Sequence, residues 1–445
     1  MTAMVRFRPL LLLVVALVVA LVVTSCSVAE QLPLARAQTQ FATAEQAFNI
    51  LIEHHVDKPS SQQLLNAAVD SVQTLLQKMN DPVPTVTKPQ FTGNPASDFA
   101  KFAATLNDVI AANPKEDPKL IEQQATDGMA RSMNECHTYY LDPARAKGFN
   151  AAPQEYSGIG ASITSPGPNE LVEVAQVFPN SPAEKAGVKK GDKIKQVNGE
   201  DMLGRTSEEV ANKIKGPEGT VVNIIMIRNG VDTPFAITRA KLTPPRVIDQ
   251  IDAGNIGYIS VSQLNGDVAN QVAAAVKRQN AAGVIGRVLD LRDDPGGDLS
   301  AAVDIASTFV KNATLVYQIG RDGSRQPLRT NDRFYIDAPT PLVILVNKNS
   351  ASGAEIIAAG VQANGAGTVI GERTAGCVGI GQPRTLPDGG LLLVTIARME
   401  DAKTGASLNG PGKGVLPDKL IAADPSVPDN QRAAADAFIK NGGRS

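Results

Sequence analysis

The run Val343-Ile344-Leu345-Val346 stops in a polar turn, Asn347-Lys348-Asn349-Ser350-Ala351, and a helical pattern then starts at Ser352-Gly353-Ala354-Glu355. An apolar, β-branched strand that passes through a short turn into a helix lifts the turn's side chains to the end of a sheet. It also aims the helix's free N–H groups at them. A serine there is a nucleophile candidate, because those N–H groups favour developing negative charge. Ser352 and Glu355 also have the Ser-x-x-Glu spacing of a capping box, which needs no chemistry. Taken alone, the segment supports both readings.

The chain of 445 residues is too long for one ordinary core, so two or three domains are expected. Its net charge of −2 gives no sign of a nucleic-acid partner. It has no tryptophan and little aromatic content, which argues against surfaces that stack bases or sugars.

The first residues read as an export signal. Arg6 and Arg8 precede an apolar run over 10–23, and Val23-Thr24-Ser25-Cys26 follows. These last four residues resemble a bacterial lipobox, which implies cleavage before Cys26 and lipidation of its thiol. The alternatives are a plain signal peptide or an uncleaved helix rather short for spanning. The expectation is a lipoprotein held outside the cytoplasmic membrane by its lipid. That compartment is oxidising and leaves only Cys136 and Cys377, two cysteines able to pair.

Residues 27–42 read as a polar tether and 43–150 as a helical region, with helical patterns over 43–79, 99–112 and 118–134. His54 and His55 are adjacent, so they face different ways on a helix. They make poor joint metal ligands and read as ordinary surface residues. From 155 to 240, short β-type runs separated by Gly and Pro form a compact β-rich module. From 245 to 425, apolar runs alternate with helical patterns, which predicts an α/β sheet covered on both faces. Residues 426–445 are left as a C-terminal tail. The fold class is multidomain α+β / α/β.

Several segments in order resemble the C-terminal processing peptidases, or tail-specific serine proteases, over about residues 45–425. The middle module resembles a PDZ domain. Tyr156-Ser157-Gly158-Ile159-Gly160-Ala161 is similar to the carboxylate-binding loop that opens such domains, and Ser181-Pro182-Ala183-Glu184-Lys185-Ala186-Gly187-Val188 lies in the family's signature. The resemblance implies that Gly158, Ile159 and Gly160 receive a peptide's terminal carboxylate beside a strand edge that accepts an added strand. The other reading is a module that only packs between domains.

Asp290-Leu291-Arg292-Asp293-Asp294-Pro295-Gly296-Gly297 resembles the family's Asp-Leu-Arg-x-Asn-Pro-Gly-Gly segment, and Gly410-Pro411-Gly412-Lys413-Gly414-Val415-Leu416-Pro417-Asp418 its closing Gly-x-x-Pro-Asp. By resemblance, the α/β domain is a crotonase-like serine peptidase domain. Gly296, Gly297 and Gly353 supply the oxyanion hole, Ser352 takes the nucleophile position and Glu355 a supporting acidic position. The glycine pair also fits a tight turn.

The pattern breaks at the base. Most members use a lysine in a Thr-x-Gly-Lys-Gly segment; here Thr374-Ala375-Gly376-Cys377-Val378-Gly379 puts Cys377 in that slot. A thiol does not do that lysine's work, and the following glutamine, Gln382, comes one position late. Relatives resembling the tricorn core peptidase pair serine with a histidine placed before the PDZ domain. Asn134-Glu135-Cys136-His137-Thr138 fits that place, so His137 is the general-base candidate, or a structural remnant. The carboxylate of such a triad is not evident; Glu400 and Asp401 are the nearest ones before the closing segment. In relatives the slots of Cys136 and Cys377 both border the serine, which implies a disulfide between them, with separate buried cysteines as the alternative.

The expectation is an exported, membrane-anchored serine endopeptidase acting on protein or peptide C-termini. A peptide-binding scaffold with weak or no activity is the alternative, and a structural adaptor the remaining one. Nothing in the sequence implies a metal, nucleotide or organic cofactor.

Overall fold

The computed structural model describes residues 40–79, 85–148, 156–163, 170–252, 254–338, 340–424, 426–427 and 429–443. The expectations for the export signal, Cys26 and most of the tether lie outside them. No helix among the described residues is long and apolar enough to cross a membrane.

The helical region holds α1 (Ala42–His54), α2 (Ser61–Met79), α3 (Pro95–Ala112) and α4 (Pro118–Arg131), then β1 (Tyr139–Leu141) and α5 (Pro143–Ala146). The helix anticipated over 43–79 is two helices. Pro59 lies in the break, and proline disfavours helical geometry at the residue before it. α3 and α4 start alike: Asn94 or Asp117 accepts a backbone N–H of the first turn, and a proline follows at the first helical position.

His55 is not a surface residue. α1 stops at His54, and His55 is extended at ψ 133° and fully buried. Its carbonyl accepts from Arg321, and Val56 N–H donates to Thr395 O at 2.9 Å. The core of the helical region includes Leu386, Leu392 and Val394. The region therefore shares a core with the C-terminal domain.

The middle module contains β2 (Tyr156–Gly158), β3 (Ala161–Ile163), β4 (Val174–Val177), α6 (Pro182–Lys185), β5 (Lys193–Val197), β6 (Glu200–Asp201), α7 (Ser207–Ile214), β7 (Val221–Arg228), β8 (Val231–Thr238) and β9 (Ala240–Leu242). Its strands pair as β6-β5-β7-β8, β3-β4 and β2-β9 around one small core.

The last domain comprises β10 (Val247–Asp252), β11 (Ile256–Val261), α8 (Val268–Ala281), β12 (Gly286–Asp290), α9 (Leu299–Phe309), β13 (Thr314–Gly320), β14 (Arg325–Arg329), β15 (Leu342–Val346), α10 (Gly353–Ala363), β16 (Thr368–Gly371), β17 (Gly379–Thr385), β18 (Leu391–Asp401), β19 (Lys419–Leu420) and α11 (Asn430–Lys440). A six-stranded sheet runs β10-β11-β12-β15-β16-β19; β10 is antiparallel to β11 and the other pairs are parallel. A second, antiparallel sheet joins β1 of the helical region to β18, which also pairs β13 and β17, with β14 at its edge.

Every residue of β15 is buried because both faces of the sheet are covered. Ile344 and Val346 face the core formed with α8, α9 and α10. Val343 and Leu345 face Ala435, Phe438 and Ile439 of α11. The segment expected to be a tail thus supplies the covering of the second face.

Candidate active site

β15 ends at Val346, and a tight turn carries the chain to the head of α10. Ser350 is fully buried and shapes this turn: its hydroxyl accepts the Asn347 N–H at 2.9 Å and donates to Leu291 O at 2.8 Å. Ser352 follows at φ 55°, ψ −115°. A serine at positive φ is strained, and a strained strand-to-helix turn is how a nucleophilic hydroxyl is pushed out of the backbone's shadow.

Glu355 is fully buried and accepts four hydrogen bonds, from Ser352 N (3.0 Å), Thr374 Oγ1 (2.5 Å), Gly376 N (2.9 Å) and Cys377 N (2.8 Å). Burial pushes its carboxyl above the usual range, against those four bonds, which favour the charged form. The carboxylate half of the capping box is therefore made, with the Ser352 N–H donating to Glu355 Oε2. Glu355 sews the serine turn to the 374–377 loop. Gly414 packs directly on this knot; a Cβ there would stand 2.9 Å from Glu355 Oε1 and 2.7 Å from Thr374 Oγ1.

The glycine pair closes on the serine from the end of β12. A Cβ on Gly296 (φ 90°) would lie 2.7 Å from both Gly353 N and Ser352 Cβ. The three expected oxyanion donors are not equivalent. Gly296 N–H donates to Asp294 Oδ1 at 2.8 Å. The Gly297 and Gly353 N–H groups have no partner among the described residues.

His137 lies across the 374–377 loop. A disulfide joins Cys136 to Cys377 with Cα atoms 5.8 Å apart. His137 Nδ1 stands 3.7 Å from the Cys136 sulfur and 3.8 Å from that of Cys377. The Cys377 carbonyl accepts the Ser352 N–H at 2.8 Å. Cys377 thus touches both the serine and the imidazole. The two sulfurs and the ring nitrogen lie within 4.8 Å of one another, but sulfurs bonded to each other are not thiolate ligands for a metal.

Burial lowers the His137 pKa below the usual histidine value, and the Glu135 charge opposes that shift. Glu135 Oε2 accepts the His137 backbone N–H at 2.8 Å, and Oε1 accepts the Thr395 hydroxyl at 2.7 Å. Burial works against the Glu135 charge, but His55, the Thr138 and Thr395 hydroxyls and the His137 N–H outweigh it and bring this carboxyl down to about 2. His55 Nε2 is 3.8 Å from Glu135 Oε1, an ion-pair distance too long for a hydrogen bond. Glu135 is the carboxylate that sequence reasoning missed, although it sits two residues before the histidine. A cavity of about 600 Å³, lined in part by Arg131, Glu135, Cys136, Tyr139 and Arg145, opens beside the disulfide.

Other candidates lie apart. Glu400 pairs with Arg325 at 3.0 Å, and Asp401 accepts the N–H groups of Lys403 and Thr404. Gln382 lies on β17 and accepts from Arg384 at 2.9 Å. In the middle module, Gly158 ends β2, Ile159 is buried, and Gly160 has φ 81°. The Ile159 and Gly160 carbonyls accept from Ala183 and Phe178.

The family model for peptidase family S41 matches residues 255–421, and that for the PDZ domain matches 173–228. The carboxyl-terminal-processing protease of Synechocystis sp. is 32% identical over 305 residues, which is 67% of this chain and 70% of that protein. The corresponding protease of Picosynechococcus sp. is 30% identical over 308 residues, covering 68% and 73%. The solved structure of a Bacteroides fragilis protein assigned to the S41 proteases has a TM-score of 0.54 at 16% identity and covers 90% of this chain and 98% of that one. At that identity the likeness is one of fold.

Proposed function

We propose, for a chain that belongs to the carboxyl-terminal-processing proteases of peptidase family S41, that Ser352 attacks a substrate peptide bond with His137 as its base. The observation that carries this reading is the strained Ser352 turn set against the Gly297 and Gly353 N–H groups, which have no partner among the described residues. The lysine slot cannot supply the base, because Cys377 is spent in a disulfide. His137 is the titratable group on the other side of that residue, and a lowered pKa leaves its imidazole neutral and able to accept a proton near neutrality.

The steps follow from these groups. The imidazole takes the Ser352 proton as the hydroxyl oxygen bonds to the scissile carbonyl carbon. The carbonyl oxygen becomes an oxyanion facing the Gly297 and Gly353 N–H groups. The imidazolium, favoured by the Glu135 charge, returns its proton to the leaving amine as the C–N bond breaks. Water then hydrolyses the acyl-serine by the same route in reverse.

The PDZ domain holds the substrate's C-terminus at the Gly158–Gly160 loop, with β-strand addition giving affinity. Lipid on Cys26 tethers the enzyme to a membrane, outside the cytoplasm.

The test incubates the full-length chain, in detergent, with an unstructured protein ending in apolar residues, beside Ser352→Ala and His137→Ala variants. Cleavage lost in both supports the Ser–His account. Cleavage that survives Ser352→Ala removes the nucleophile. The disulfide in the base slot favours one alternative, a peptide-binding scaffold, for which tight binding without cleavage by the unmodified chain is the signature.

A further inference from the structure

Asp294 sits two residues before the Gly296–Gly297 pair, and its side chain is unusual. The residue is completely buried. Its Oδ1 accepts the Gly296 N–H at 2.8 Å, and its carbonyl accepts the Ala351 N–H at 2.9 Å, one residue before the serine. Its Oδ2 is buried without a hydrogen-bond partner among the described residues. A charged carboxylate with one hydrogen bond and a bare oxygen is costly in a dry interior, whereas the neutral acid is tolerated.

We propose that Asp294 is a positioning residue of the oxyanion site: its uncharged carboxyl group holds the Gly296 N–H, and this turns the Gly297 N–H toward the reacting carbonyl. The inference rests on the Ser352 reading above. It explains why Gly296 N–H is not itself a donor to substrate. It also ties the two sides of the hole together, because the one residue bonds both to the glycine turn and to the serine turn.

A consequence follows for pH. Burial pushes the Asp294 carboxyl up to about 7. None of the charged groups around it acts on that value. On its own turn, Arg292 is held by Asp290 and Asp429, and Asp293 accepts from Asn347 and Asn349. Asp298 lies beyond the glycines, Lys348 on the neighbouring turn, and Glu355 on α10 is engaged by its four donors. Once ionised, Asp294 places a negative charge behind the Gly296 N–H, next to where the oxyanion forms, and opposes it. Activity therefore falls as pH rises through about 7.

The experiment measures kcat and KM for the unstructured substrate, and Tm, between about pH 5 and about pH 9. It compares the full-length chain with Asp294→Asn, Asp294→Ala and Ser352→Ala. Asn keeps the acceptor for Gly296 and cannot ionise. We expect it to keep kcat on the acid side within about threefold and to lose the alkaline fall, with KM unchanged. Ala removes the acceptor, and we expect kcat to drop about 10- to 100-fold at every pH.

Tm gives a readout independent of catalysis. The folded-state pKa is raised, so Asp294's contribution is fully present below its unfolded value of about 4. It is lost as pH rises through the folded value of about 7. The Tm of the unmodified chain should therefore fall relative to Asp294→Asn across that window. Parallel Tm curves, or an alkaline fall retained by Asp294→Asn, overturn the inference. If cleavage survives Ser352→Ala, the nucleophile reading fails, while the Tm comparison still decides whether Asp294 is held uncharged.

Discussion

The Ser352 N–H donates to the Cys377 carbonyl at 2.8 Å, and the sulfur of that same Cys377 is bonded to Cys136. The Ser352 backbone is therefore fastened, through one residue, to the segment that carries His137. In a family whose usual base is a lysine at this slot, the slot here connects the serine to a histidine more than two hundred residues upstream.

Reducing that bond should cost stability. The disulfide spans 241 residues, and closing so long a loop is worth about 5 kcal/mol in the chain-entropy model. Calorimetry with and without dithiothreitol should show a lower Tm in the reduced chain. Thiol titration of the unfolded, unreduced chain should register neither Cys136 nor Cys377.

Glu355→Gln should be severe. The carboxylate accepts four donors, and an amide presents an NH2 group to some of them. Leaving buried donors unmatched costs roughly 2–4 kcal/mol. Urea titration should show this as a lower midpoint at unchanged slope, and peptide cleavage should fall with it because the Ser352 turn loses its anchor.

The acid limb of the pH–rate profile should report His137. With His137 as the proposed base, neutral imidazole is the active form, so activity should be lost as pH falls through a value below that of ordinary histidine. Glu135 raises the His137 pKa by its charge, so Glu135→Gln should move the limb to still lower pH. A limb that stays in place under Glu135→Gln assigns it to another group.

Removing α11 should unfold or aggregate the C-terminal domain, because the Val343 and Leu345 face would be bared. The milder Phe438→Ala should cost about 3–4 kcal/mol, read by denaturant unfolding.

Much of this was legible in the sequence. The all-buried strand Leu342–Val346 and the helix after it follow from an unbroken apolar run, mostly β-branched, and a Ser-x-x-Glu start. The helix Asn430–Lys440 was not legible, because its only large apolar side chains are Phe438 and Ile439, and its other apolar residues are alanines that mark no face. The strands Arg325–Arg329 and Gly379–Thr385 were hidden by arginines, glycines and Pro383, and are held by long-range pairing to β13 and β18. His55 turned inward because the helix ends one residue earlier. Within the site, residue identity marked Ser352 and the glycines. It could not say that Gly296 gives its N–H to Asp294, which is a matter of turn geometry.

The most direct measurement treats the chain and its His137→Ala variant with a fluorophosphonate and maps the adduct by mass spectrometry. We expect a single adduct on Ser352 in the unmodified chain, formed at least about 100-fold more slowly in His137→Ala. Ser352 left unlabelled, or labelled equally fast without His137, contradicts the account.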